Sequence, residues 1–404
     1  MKRHKAKIAG TTAVVVLMCT TVTAHAAEGR PAGRGTLLSV TKIGELTPAE
    51  VQAAVEPFFG DTRRVKYGIS DYRITYATVD AWGRPTVASG LIALPEDRTG
   101  RVLRVVSYDH GTNPTRDTVA SVAAGDGDRE AVELFASAGY AAVAPDYVGL
   151  GTGAGLHPYM DLSSEVTATV DMLDAGRALA ARHGVVLDPR LLVTGFSQGG
   201  PAAMATAEAV QDGEAGHGWR LAALAPISGP YDVQHAETPA MLNGELDPES
   251  SVLYISYWTV ALNRVYHLYD RPDEAFRQPY AGIVEGLYDG NHSEEQILAA
   301  LPGSVDQLLT PRYLAWLEHP SGALLAAMRQ SDGSCAWHPD VPVELYAANG
   351  DKDVAIADSE HCDAQLTARG ADVQLTDLGD VDHNHSAMLA IPRILAFFDG
   401  RTGL

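Results

Sequence analysis

A serine hydroxyl is a weak nucleophile at neutral pH. It becomes a strong one beside a general base that is itself oriented by a carboxylate. The segment Gly195-Phe196-Ser197-Gln198-Gly199 has the residue types and spacing that present such a serine. It closes the apolar run 191–195 and opens the small-residue run 199–210, so Ser197 stands where a strand gives way to a helix. A turn that tight strains the serine backbone, and the flanking glycines leave room for the neighbouring strand and helix. The hydroxyl then projects above the sheet, with the helix amino end facing the reacting carbon. The chemistry predicted is acyl transfer through a covalent intermediate.

The partners should follow in the order acid, then histidine. The apolar run 343–347 leads into Asn349-Gly350-Asp351-Lys352-Asp353. Asp353, three residues after the glycine, is the expected acid, with Asp351 as its rival because the turn decides which carboxylate faces inward. Residues 373–375 lead into Asp382-His383-Asn384-His385-Ser386, and His385, at the start of an apolar helix, is the expected base, with His383 as the alternative. The His383-x-His385 pair raises the question of a metal, but no third ligand stands at a convincing spacing, so none is expected. No cofactor is required either. An oxyanion needs amide donors, and the N–H of Gln198 is the first. Residues 102–108 run into Asp109-His110-Gly111-Thr112, which makes the Thr112 amide the second, with Gly111 as the alternative.

These residues need a frame that brings distant segments together. Thr47-Pro48-Ala49-Glu50 is a capping box with proline at the first helical position. Segments 63–79 and 85–94 carry the β-branched and aromatic residues of strands. From residue 102 onward, strands at 102–108, 140–145, 191–195, 221–227, 343–347 and 373–375 alternate with helices. That alternation predicts a parallel sheet covered on both faces. Residues 231–330 interrupt it with helical patterning and few strand signals, which predicts a helical cap or lid between nucleophile and acid.

Composition bounds the rest. The 404 residues, 46% hydrophobic and 20% charged, describe a globular protein with enough chain for a sizeable core. Residues 1–26 read as a secretory signal peptide: Lys2, Arg3, Lys5 and Lys7, then an apolar run, then Ala24-His25-Ala26. The run is short for a membrane span, so no stable membrane anchor is expected and the protein should be secreted. The core is then expected over 27–230 and 331–404, with the cap over 231–330. The formal net charge of −21 becomes more negative once those four basic residues leave, and argues against nucleic acid as a partner. Cys335 and Cys362 remain beyond the leader and are expected to form a disulfide, two separate buried thiols being the alternative.

Together, Ser107-Tyr108-Asp109-His110-Gly111-Thr112, Pro145-Asp146-Tyr147-Val148-Gly149-Leu150-Gly151, His157-Pro158-Tyr159 and Gly195-Phe196-Ser197-Gln198-Gly199-Gly200 resemble the secretory lipases of the yeast lipase A type and their bacterial esterase relatives. The resemblance runs from about residue 63 to the end. It implies an α/β-hydrolase fold, a lid between nucleophile and acid, and hydrolysis of small-molecule or lipid esters. It implies Ser197, Asp353 and His385 as the triad, and places Asp146 and Tyr147 near the site as possible substrate-binding residues or as a loop pinned to the core. Gln198 and His110 depart from the yeast lipases and match the bacterial esterases better. Two other readings use the same residues: a secreted serine peptidase, and a catalytically silent relative that binds a ligand.

Overall fold

In a computed structural model the described residues are 32–96, 101–125, 127–214 and 218–401. The proposed leader lies outside them. Nine strands form one sheet: β1 (Leu37–Leu46), β2 (Ile69–Val79), β3 (Pro85–Pro95), β4 (Val102–Asp109), β5 (Ala141–Pro145), β6 (Val186–Phe196), β7 (Arg220–Ile227), β8 (Val343–Ala347) and β9 (Val373–Asp377). Their order is β1-β2-β3-β5-β4-β6-β7-β8-β9. The pairs from β5 through β9 are parallel, and the three pairs from β1 to β5 are antiparallel.

The parallel strands are apolar because both of their faces are covered. All five residues of β5 are buried. Helices α3 (Leu162–Arg182) and α4 (Gly199–Gln211) cover one face, where Val170, Met172 and Met204 pack with Val105, Val193 and Leu345. Helices α1 (Pro48–Phe59) and α2 (Asp128–Ala138) and the last helix, His383–Asp399, cover the other through Val55, Phe135, Ile394 and Phe398. The capping box read at Thr47 and Glu50 is formed.

Strand β1 carries no signal that the sequence reading used. It lies at the sheet edge, is largely exposed, and has two breaks in register against β2, between Leu37 and Ser39 and between Lys42 and Gly44. A strand with neither face deeply buried shows no apolar alternation.

Between the end of β7 and the start of β8 the chain adds no strand to the sheet. Its longest helix there, Pro248–Tyr266, packs with Glu294–Ala300, Pro311–Glu318 and Gly322–Asp332 around their own apolar centre. Tyr159, on the loop before α3, stacks on Tyr257 at 4.3 Å, and Tyr257 stacks on Tyr288 at 4.6 Å. A disulfide joins Cys335, just after the last of these helices, to Cys362 in the helix Ile356–Ala368, with a Cα–Cα separation of 5.3 Å.

Candidate active site

Ser197 sits between β6 and α4 with φ +55°, in the left-handed region that side chains rarely enter. Its N–H donates to the Ile227 carbonyl at 2.9 Å, and its carbonyl accepts from Gly200 N–H at 2.8 Å, so both neighbouring elements hold the strained residue. The two flanking glycines are required by space. A methyl group on Gly195 would run into the Gly199 carbonyl, and one on Gly199 into the Asp109 carbonyl at the end of β4. The turn therefore closes only because β4, β6 and α4 meet without side chains between them.

The histidine facing this turn is His383 and not His385. His383 is the first residue of its helix, and its side chain is 5% exposed. Its Nδ1–H donates to Asp351 Oδ2 at 2.7 Å, and its ring packs on Phe196 at 4.6 Å. Nε2 is buried and makes no hydrogen bond to any described residue, and His383 lines a cavity that Ser197 also lines. His385 lies about 200° further round the helix. Its side chain is 60% exposed, and both its backbone N–H and its ring bond to Asp382, the residue capping the helix. The expectation of His385 is corrected by that rotation.

The carboxylate that meets this imidazole is likewise Asp351 and not the expected Asp353. Asp351 Oδ1 accepts the backbone N–H groups of Asp353 at 2.9 Å and Val354 at 3.1 Å, folding the turn around its own side chain. That fold turns Oδ2 toward His383. Asp353 points elsewhere: it accepts from Tyr254 Oη at 3.2 Å and lines the space above Ser197. Burial works against charging His383. The hydrogen bond and charge of Asp351, with Asp353 and Glu237 further off, outweigh it and lift the imidazole above its ordinary value. Ser386 Oγ donates to the His383 carbonyl at 2.6 Å and meets Ser228 Oγ at 2.8 Å, which anchors this helix end beside β7.

The expected oxyanion residues lie at the same place. A Cβ on Gly111 would stand 3.5 Å from Ser197 Cβ, and Thr112 lines the space above the serine. Thr112 Oγ1 is 2.9 Å from Tyr159 Oη. Gln198 heads α4, and its side chain is held beneath the site by two residues the sequence reading gave no role. Its Nε2 donates to Glu165 Oε1 at 2.7 Å and to His157 Nε2 at 2.8 Å. His157 Nδ1–H is spent on the Val148 carbonyl at 3.0 Å, so Nε2 is left as an acceptor. Burial holds His157 down at about 3, hence neutral, and pushes Glu165 up to about 8.

Asp146 and Tyr147 do not line the space above Ser197. Asp146 is fully buried, and its Oδ2 accepts Ser89 Oγ and Ser121 Oγ, each at 2.6 Å. Tyr147, at φ +63°, is buried between His110 at 4.4 Å and His157 at 5.8 Å. Both pin the loop after β5. Among the described residues no group of three or more His, Cys, Asp or Glu side chains is arranged to hold a metal, and no helix is long and apolar enough to cross a membrane.

Two cavities meet at Ser197 and share Thr112, Tyr254 and Asp353. The first is walled by apolar side chains of the helical segment, among them Met241, Leu246, Ile255 and Trp258. The second opens past His383 and is more polar.

No family model matches the chain, and no curated protein does. Solved structures do. A hydrolase of Legionella pneumophila described as putative is similar at 26% identity and a TM-score of 0.82, over 91% of this chain and 98% of that one. The rice cell wall degrading esterase LipA of Xanthomonas oryzae is similar at 27% identity and a TM-score of 0.79, with the same coverage. Candida antarctica lipase A shares 12% identity over 87% of this chain and 78% of that one, at a TM-score of 0.63, which is a likeness of fold alone. The chain has an α/β-hydrolase fold and resembles the bacterial esterases and lipase A.

Proposed function

We propose that the protein is a serine carboxylic-ester hydrolase in which Ser197, His383 and Asp351 form the triad. The observation that carries this reading is the buried imidazole of His383, bonded to Asp351 through Nδ1, unpartnered at Nε2, and in the wall of a cavity that the strained Ser197 also lines. His383 takes the Ser197 proton as Oγ attacks the ester carbonyl, and Asp351 holds the tautomer and stabilises the imidazolium. The N–H groups of Gln198 and Thr112 receive the oxyanion. His383 then gives its proton to the departing alcohol oxygen, and water repeats the sequence on the acyl-enzyme. The 26–27% identity to a hydrolase and an esterase over nearly their whole length supports the same chemistry.

The apolar cavity suits the acyl chain, and the helical segment above it acts as a lid in this reading. Export fits the basic, apolar and small-residue order of residues 1–26 and the single disulfide. Ser197→Ala should lower kcat on p-nitrophenyl butyrate by at least about 10⁴-fold without unfolding the protein. A fluorophosphonate probe should label the native chain at Ser197 alone. Near-normal turnover by the alanine variant, or labelling elsewhere, would remove the reading.

A further inference from the structure

A carbonyl attacked by Ser197 has two substituents to accommodate, an acyl chain and an alcohol, and two cavities meet at that residue. The first is walled by Met241, Leu246, Ile255 and Trp258 and suits the acyl side. The alcohol then lies in the second, which is lined by His383, whose buried, unpartnered Nε2 must protonate it as it leaves. This second cavity has an unusual wall. Phe58, Phe59, Tyr108 and Tyr254 give it aromatic surface, while Asp353, Glu294 and Asp128 give it carboxylates. No Lys or Arg is among its described lining residues. Tyr108 Oη donates to Asp128 at 2.7 Å, and Tyr254 Oη to Asp353 at 3.2 Å.

We infer that this cavity is a leaving-group subsite for ammonium-bearing alcohols, so that the preferred substrates are esters of amino alcohols; the inference rests on the esterase reading above. Aromatic faces beside carboxylates are the combination that receives an ammonium group, through the ring quadrupole and through direct charge attraction. Glu294 and Asp353 line the same cavity, and burial, with the charge of Asp353 second, raises the Glu294 carboxyl, so the two like charges oppose each other there. A bound cation relieves that repulsion, a neutral alcohol leaves it, and an anionic one adds to it. The net charge of −21 draws cations toward the molecule from further off. The reaction balances without any co-reactant but water. The bond from Ser197 Oγ to the acyl carbon forms, the bond from that carbon to the alcohol oxygen breaks, and the alcohol oxygen takes the His383 proton. The ammonium group keeps its charge throughout.

The test compares butyrylcholine with 3,3-dimethylbutyl butyrate, in which carbon replaces the quaternary nitrogen, using the full chain at low ionic strength. A kcat/KM ratio of roughly tenfold or more in favour of the cationic ester is expected, shrinking as salt is added. The double variant Asp353→Asn, Glu294→Gln should bring the ratio toward one. Should that variant fail to fold, the native protein still decides. Tetramethylammonium should inhibit p-nitrophenyl butyrate hydrolysis competitively, and neopentyl alcohol at equal concentration should not. Hydrolysis of both butyrates at a ratio of one or below overturns the inference and leaves the esterase reading standing. No turnover of any of the three esters by folded protein removes both.

Discussion

An imidazole that serves as a base must be neutral when the ester arrives. Asp351, with help from Asp353 and Glu237, lifts His383 above its ordinary value against the opposing effect of burial. The acidic limb of kcat/KM should therefore lie above the usual histidine value of about 6.5 and rise as pH climbs through it. Asp351→Asn should move that limb to lower pH and lower the plateau. His383→Ala should cost about 10³-fold or more in kcat, whereas His385→Ala should stay within about twofold. A pH–rate profile on one aryl ester checks all three variants. Residues at this scale were legible as types and neighbourhoods, but not to the exact position. The Gly-x-Ser-x-Gly string named Ser197 because the surrounding pattern fixed a strand and a helix. The carboxylate and imidazole that meet, Asp351 and His383, each lie two residues from the ones expected. What decides them is which carboxylate satisfies the amides of its own turn and which helix face meets Phe196, and neither is written in spacing.

Elements carry these residues, and their junctions are the costly parts. The turn at Ser197 exists because β4, β6 and α4 close on one another at Gly195 and Gly199. The disulfide works on a longer segment. It links Cys335, where the helical segment ends, to Cys362, in the helix that follows the Asp351 turn, across 27 residues. Loop-closure entropy gives such a link about 3 kcal/mol. Cys335→Ser with Cys362→Ser should lose about that much stability in urea unfolding while the refolded protein keeps its activity on short esters. Parallel strands and long helices were readable because burial on both faces leaves an apolar record. The edge strand β1 left none, and the anchoring of Gln198 by His157 and Glu165 depends on contacts across 41 and 33 residues of chain.

At the scale of the molecule, two half-cores support opposite faces of one sheet, and a third apolar centre roofs its carboxyl edge. The roof leaves one apolar space beside Ser197, which on the proposed reading sets the acyl length admitted. Val233, half-buried on its wall, is a position from which a larger side chain would narrow that space. Val233→Trp should abolish turnover of p-nitrophenyl octanoate and spare the acetate, read as the ratio of kcat/KM for the two esters. The alternation of strands and helices made this architecture readable before any coordinates. The shape of the roof was not readable, because short helices packed on one another follow no fixed register.

The margin at β1 has a further consequence. The unpaired outer edge of a strand offers its amides and carbonyls as a template for another chain. Here the template is spoiled: Lys42 and Glu45 pair along it, and the ladder slips twice within ten residues. Each slip puts the next donor out of step with an incoming straight strand. Along this margin, then, a straight strand from another copy finds no continuous seam to extend.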